Sequence, residues 1–446
     1  MDEAFEFYCS LDAWYTLVHV CQRWRFVVFA SPRRLDLHIL CSHENQVEEN
    51  LDIWPQLPIA IEVFSDTSSL PGTGIANIIA ALKHHHRVSK ITIHDIPNSL
   101  LKEFGAMKNS FPALTELSLQ SYEAYPLVLP DSFLLGPAPR LQTLTLNRIS
   151  FPALPRLFSS TSDLVELYLF DVPPSGYMSP EALATSLSVL TRLKTLSLSH
   201  KSPPSWADRA NLHPPLFTRV VLPSLTDFTF NGHSEYLERI VSQIECPLLD
   251  YTCITFSDQL AFDTPQLRHF ISRTKTFKAP HRADIEFSKA RVGVGLFRRK
   301  GIVDHKTLEL EIPCSRSSWQ ISAITHVCDS PLPPLPTLER LGIYEAKFVK
   351  PEWEDNIVNT QWLQLLHPFS SVKNLFLSKK LVQLVAPALQ ELTGERVTEV
   401  LPALQNLFLQ DPEPSETVQE AIGHFITSRQ LSDCPVAVHC ERSCWW

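Results

Sequence analysis

The chain has 446 residues, 44% hydrophobic and 20% charged, which excludes a disordered polymer and leaves ample length for a large core. Gly is scarce at 12 and Pro abundant at 35, which weighs against enzymes built on Gly-rich phosphate loops. With 39 basic and 48 acidic residues the net charge is −9, which weighs against a nucleic-acid reader.

In chain order, the acidic opening Met1-Asp2-Glu3-Ala4-Phe5-Glu6 has no apolar stretch of the kind a signal peptide needs. No apolar run approaches the roughly 18 residues of a membrane span. The ten cysteines are irregularly spaced. The expectation is an intracellular protein, cytoplasmic or nuclear, with reduced and mostly buried thiols. Residues 12–30 read as an amphipathic helix, because Trp14, Leu17, Cys21, Trp24 and Val28 recur on one face. Asp12 can cap its start, and Ser31-Pro32 ends it. Extended segments follow at 35–40 and 59–64.

A phrase then repeats: a loop residue followed by Leu-x-x-Leu-x-Leu. It occurs at Leu114/Leu117/Leu119, Leu141/Leu144/Leu146, Leu164/Leu167/Leu169 and Leu193/Leu196/Leu198. It returns at Leu225/Phe228/Phe230, Leu338/Leu341/Ile343, Val372/Leu375/Leu377 and Leu404/Leu407/Leu409. Val88/Ile91/Ile93 and Leu267/Phe270 are weaker copies. From Val88 onward, successive copies in the first half lie 26, 27, 23, 29 and 32 residues apart. Such self-similarity predicts an α/β fold, a leucine-rich-repeat solenoid. In Leu-x-Leu both side chains point to one face of a strand, and one repeat cannot bury that face alone. Helices are expected between phrases, at 179–189 and 235–244. Residues 278–330 fit poorly and read as an irregular repeat or an insertion. The Asn that usually follows Leu-x-Leu is missing from nearly every copy, so the solenoid is expected to be irregular.

The segment Val20-Cys21-Gln22-Arg23-Trp24-Arg25, followed by Ser31-Pro32-Arg33-Arg34-Leu35, joins these repeats to a helical start. Together with Leu51-Asp52-Ile53-Trp54-Pro55, Asp263-Thr264-Pro265-Gln266-Leu267 and Ser428-Arg429-Gln430-Leu431, it resembles the F-box and leucine-rich-repeat-like proteins of mushroom-forming fungi. The resemblance spans essentially the whole chain. It implies a partial F-box-like helical segment at 1–40 and a solenoid over 41–446. The family's opening Leu-Pro-x-Glu-like helix would precede Asp2. It further implies an adaptor: an F-box docks on the linker protein of a cullin–RING ubiquitin ligase while the repeats hold a protein substrate. Leu17, Cys21 and Trp24 would then contact the linker. The residue pattern alone also allows them to pack on the first repeat as a cap.

Catalytic signatures are missing. There is no Gly-x-Ser-x-Gly, no His-Glu-x-x-His and no Walker loop, and Gly72-Thr73-Gly74 and Gly293-Val294-Gly295 lack the rest of a dinucleotide fingerprint. The expectation is a protein that is not an enzyme and holds no metal or other cofactor. His84-His85-His86 reads as a polar helix end. Cys434, His439, Cys440 and Cys444 half-fit a zinc site and otherwise read as a frayed tail. Arg298-Arg299-Lys300 is the densest basic patch and reads as a solvated loop.

If the Leu side chains face the core, alternate positions face outward on the concave side. Tyr168, Phe170, Tyr344, Phe376 and Phe408 fall there and are candidate anchors for a protein partner, because aromatics dominate interface hot spots. The expected function is substrate recognition for a cullin–RING ligase, with no nucleic acid and no membrane as partner. The alternatives are a repeat scaffold with no ligase link and, third, a zinc-dependent hydrolase using the Cys/His tail.

Overall fold

The computed structural model describes residues 20–30, 38–42, 57–63, 72–106, 109–122, 127–134, 138–200, 219–257, 264–301, 303–329, 338–354, 357–411 and 413–440. The fold is mixed α/β. It divides into two compact units, Met1–Met178 with Val189–Leu193, and Ser179–Ser188 with Lys194–Trp446.

In the first unit, helix α1 (Gln22–Ala30) is followed by β1 (Ile39–Cys41), β2 (Ile59–Val63), α2 (Gly72–Lys83), β3 (Val88–Ile93) and α3 (Asn98–Ala106). Then come β4 (Glu116–Gln120), β5 (Leu127–Val128), β6 (Thr143–Asn147), β7 (Ile149–Ser150), α4 (Leu154–Ser160) and β8 (Glu166–Val172). Strands β1, β2, β3, β4, β6 and β8 pair in that order, each parallel to the next. The two-residue strands β5 and β7 pair separately. The repeated phrase sets the register: Leu117 lies beside Leu144, which lies beside Leu167, and Leu119, Leu146 and Leu169 form the next row. All six are buried. Each such side chain contributes about 1.5–3 kcal/mol when removed from water. Phe104, Phe111, Phe133 and Phe151 fill the space beyond the Leu rows, with Phe104 stacked on Phe133 at 4.5 Å.

The missing Asn is replaced in two ways. Apolar Ile96 and Ile149 are buried three residues past the last apolar position of their strands. The turns also bond to one another through backbone, Ser121 N–H to Asn147 O at 3.1 Å and Arg148 N–H to Phe170 O at 2.9 Å. Arg148 adopts a positive φ of 58° to make this turn.

The second unit begins with α5 (Pro180–Leu187), where Ser179 Oγ accepts from Ala182 N–H at 3.2 Å as a helix cap. Next come β9 (Thr195–His200), β10 (Val220–Val221), β11 (Asp227–Gly232), α6 (Ser234–Gln243), β12 (Ile244–Glu245), β13 (Tyr251–Phe256) and α7 (Pro265–Arg273). They are followed by β14 (Arg282–Phe287), β15 (Arg291–Lys300), β16 (Val303–Pro313), α8 (Ser317–Asp329), β17 (Arg340–Glu345), α9 (Asn359–Leu366) and β18 (Asn374–Ser378). The chain closes with α10 (Lys379–Gln390), β19 (Asn406–Gln410), α11 (Glu416–Leu431) and β20 (Ala437–Cys440). The ladder runs β9-β11-β13-β16-β15-β14-β17-β18-β19-β20, and β10 pairs with β12 apart from it.

The described part of 278–330 departs from the run of parallel strand pairs. β14, β15 and β16 make an antiparallel meander whose order is reversed in the ladder, so β16 lies parallel to β13 and β14 parallel to β17. Among the described strands of this ladder only β15 runs against the rest, and buried Val292, Val294 and Leu296 continue the core rows through it. The expected copy at Leu267/Phe270 is overturned. Both residues belong to α7, started by Pro265 and capped from outside, since the Glu238 carboxylate accepts from Gln266 N–H and Leu267 N–H at 2.7 Å each. The strand of that repeat is β13, with Leu249, Thr252 and Ile254 at the buried positions.

The C-terminal segment is also corrected. Residues 437–440 form β20 on the edge of the sheet instead of a frayed tail. Beneath β19 and β20, buried Arg429 of α11 donates to the carbonyls of Val397, Leu401, Pro402 and Leu404 at 3.1–3.4 Å. It ties together four carbonyls of the segment before β19, one of which, Leu401 O, also accepts from Leu404 N–H at 3.0 Å.

Candidate functional site

Alternation along each strand leaves one sheet face lined by the residues between the buried ones. In the first unit this face is mostly polar. Lys90 bridges Glu62 at 3.1 Å and Glu116 at 3.3 Å. Burial pulls the Lys90 pKa down, but the two carboxylates outweigh it and hold the ammonium above its ordinary value. Thr143 donates to Glu166 at 3.3 Å. Tyr168 and Phe170 of β8 stand half-buried on this face with ring centroids 5.8 Å apart.

In the second unit the open face has a charged part and an aromatic part. On the charged part, Arg282 binds Asp284 and Asp304 and lies 4.8 Å from the Phe297 ring centroid. Burial raises the Asp284 pKa despite that guanidinium. Tyr251 donates to Glu309 at 2.9 Å, Lys306 reaches Glu309 at 2.7 Å, and Arg291 reaches Glu311 at 3.0 Å. Gly293 and Gly295 of β15 lie between Glu311 and Glu309 on one side and Glu286 and Asp284 on the other. Every cation named here is paired within the face.

The aromatic part starts at Gly342, where any added Cβ would collide with the Tyr344 ring folded back over it. Phe376 lies next in register, then Phe408, then His439. Phe376 and Phe408 stack at 4.3 Å and 4°, and Phe408 and His439 at 4.7 Å and 17°. Arg340 covers Phe376 at 5.0 Å from its centroid. Alongside, Asn406 donates to Asn374 at 2.9 Å, and His439 Nε2 meets Asn406 Oδ1 at 3.3 Å.

In each unit the predicted aromatic anchors lie on the strand face opposite the buried Leu rows, but they differ in exposure. Tyr344 and Phe376 are only 6% and 7% exposed, a correction to their reading as solvent-facing anchors. Phe376 lies between the stacked Phe408 ring and the Arg340 guanidinium, and the Tyr344 ring folds back over Gly342 of its own strand. Tyr168, Phe170 and Phe408 keep part of their surface open. His439 was not among the predicted anchors. It entered the sequence reading as a possible metal ligand, and its place beside Phe408 depends on a pairing across 31 residues.

On α1, Cys21 precedes the helix and is exposed, and Trp24 is 47% exposed. Val20, Phe26 and Val27 are exposed as well. Trp24, Phe26 and Val27 of the described part of this helix thus keep about half or more of their surface exposed. Leu17 lies outside the described residues.

Among the described residues no cluster of His, Cys, Asp or Glu is arranged to hold a metal. His439 and Cys440 are successive strand residues and point to opposite faces, and Cys444 is outside the described residues. His85 Nδ1 lies 2.7 Å from Ser110 O in the turn after α2. The basic patch is a strand end, not a loop, with Arg298 at 3.3 Å and Lys300 at 3.7 Å from Asp250. Cys41 and Cys246 are buried, and burial pushes both thiols up to about 12. No described helix is long and apolar enough to cross a membrane.

No family model matches the chain, and no curated protein matches it. Among solved structures it is similar to the leucine-rich repeat-containing protein LegL7 from Legionella pneumophila, at 11% identity, over 87% of this chain and 97% of that one. The TM-score is 0.26, a likeness too loose to carry an argument.

Proposed function

We propose that the chain is a non-catalytic protein-interaction protein, an irregular leucine-rich-repeat solenoid that selects a protein substrate for a cullin–RING ubiquitin ligase inside the cell. The in-register Leu rows and the parallel strands of each unit support the repeat reading. Tyr168 and Phe170 in one unit and Phe408 in the other are the candidate substrate contacts. The single observation that carries the ligase link is α1. Trp24, Phe26 and Val27 stand exposed on a short helix, an apolar surface without a covering partner among the described residues. That is what a docking module needs, and it goes with the resemblance of Val20–Arg25 to F-box and leucine-rich-repeat-like proteins.

The test is calorimetry of the purified chain against the ligase linker protein, beside a version extended by a family-like first helix. Binding at micromolar affinity or better, about −8 kcal/mol, is the expected result. Trp24→Ala should weaken it tenfold or more while the far-UV circular dichroism stays unchanged. If neither version binds, the repeat scaffold without a ligase link takes the place of this reading.

A further inference from the structure

Strand β20 ends the ladder of the second unit, and among the described residues β19 is its sole neighbour. Ala437 N–H donates to Gln405 O at 2.8 Å. In a parallel pair alternate residues turn their backbone groups to the neighbour. Ala437 and His439 thus face β19, while Val438 and Cys440 turn N–H and C=O to the open edge. Such an edge is a template for another strand.

What the edge presents is specific. Strands β18 and β19 carry the same four residues in register, Asn374-Leu375-Phe376-Leu377 beside Asn406-Leu407-Phe408-Leu409. The amides are hydrogen-bonded, the phenyl rings are stacked, and the four Leu side chains are buried. β20 continues each row in weaker form. Ala437 follows the Asn row, half-buried Val438 and exposed Cys440 follow the Leu rows, and His439 adds its imidazole to the ring stack. Among the described residues the rows stop at β20: the outer face of the imidazole on one sheet face, the exposed part of Val438 on the other, and the backbone donor–acceptor pairs of Val438 and Cys440 between them lie along the same edge. Identical side chains stacked on parallel strands stabilise one another, and each added strand gains from the last.

We propose that β20 is a docking edge for an extended segment of another protein, added parallel to it, with an aromatic residue opposite His439 and apolar residues on either side. Peptide capture by strand addition takes affinity from main-chain hydrogen bonds and specificity from alternate side chains. Both are present here: backbone groups from Val438 and Cys440, and a ring stack that selects the residue opposite His439. The edge adjoins the open face, whose last ring is His439, and is separate from α1, so it stands or falls separately from linker binding.

The probe is a capped, fluorescently labelled peptide of sequence Lys-Asn-Leu-Phe-Leu-Ser, titrated with the full chain by anisotropy. Saturable binding is expected. Phe→Ala in the peptide should weaken it about fivefold, the effect of a lost aromatic pair, and His439→Ala in the protein should weaken it comparably. In the proposed register the peptide's Phe N–H points to Val438 O and the N–H of its first Leu points away. N-methylation at Phe should weaken binding more than tenfold, and N-methylation at that Leu should leave it within about twofold. Equal loss at both sites, equal binding of a scrambled peptide, or no saturable binding by the folded chain overturns the proposal. Concentration-dependent dimerisation that excludes the peptide also overturns it, since the occupant is then a second copy.

Discussion

His200 closes β9 and is 9% exposed, with its ring centroid 4.7 Å from that of Tyr236. Burial disfavours the imidazolium and lowers its pKa from 6.5 to about 4. In the unfolded chain the same ring takes a proton as the pH falls below about 6.5. Between these values the unfolded state binds the extra proton, so the His200 contribution is complete above pH 6.5 and declines as the pH falls toward 4. At pH 4.5 the loss amounts to roughly 2–3 kcal/mol. Replacing the ring with Phe keeps the apolar contact to Tyr236 and removes the titration. Urea unfolding at pH 7 and pH 4.5 is expected to show the wild type losing that much more stability than His200→Phe. Parallel losses in the two proteins would mean that the ring titrates as an ordinary surface histidine.

Thr252 shows how an element escapes a pattern. Leu249-x-x-Thr252-x-Ile254 is the repeated phrase with one hydroxyl in it, and the register sets Thr252 between Phe228 and Leu308. Its side chain is fully buried and, among the described residues, Oγ1 has no hydrogen-bond partner. A hydroxyl in that state costs about 1 kcal/mol or more relative to a methyl group. Thr252→Val is isosteric and is expected to stabilise the protein by about 1 kcal/mol, read as a rise in the urea midpoint at unchanged slope; a fall would require a partner for the hydroxyl. The same locality explains the misplaced copy. Leu267-x-x-Phe270 satisfies the first half of the phrase, but a spacing of three also suits one face of a helix. Pro265 and the distant Glu238 carboxylate decide for the helix, and the second of these is invisible along the sequence. Copies with Leu at all three positions, such as Leu141/Leu144/Leu146, were legible because period two and burial act on the same residues.

For the molecule as a whole, period two assigned Tyr168, Phe170, Tyr344, Phe376 and Phe408 to one kind of face, and that much followed from the strand alone. Exposure did not follow, since it depends on which strand lies beside which. The reversed meander β14–β16 puts Asp284 beside Gly342, and the β18–β19–β20 order buries Phe376 while it lines His439 up with Phe408. A ladder of this kind is held by nearest neighbours, so protection against hydrogen exchange should fall toward a free edge. Within the second unit the amides of Leu375 and Leu407 are each held between two strands and should exchange slowly. Val438 N–H faces the open edge and should exchange at least about a hundredfold faster, while Ala437 N–H, bonded to Gln405 O at 2.8 Å, stays protected. Residue-resolved exchange by NMR reads this alternation directly. A protected Val438 amide would mean that the edge is already covered in the free chain, and a uniformly unprotected β20 would mean that its pairing to β19 does not persist in solution.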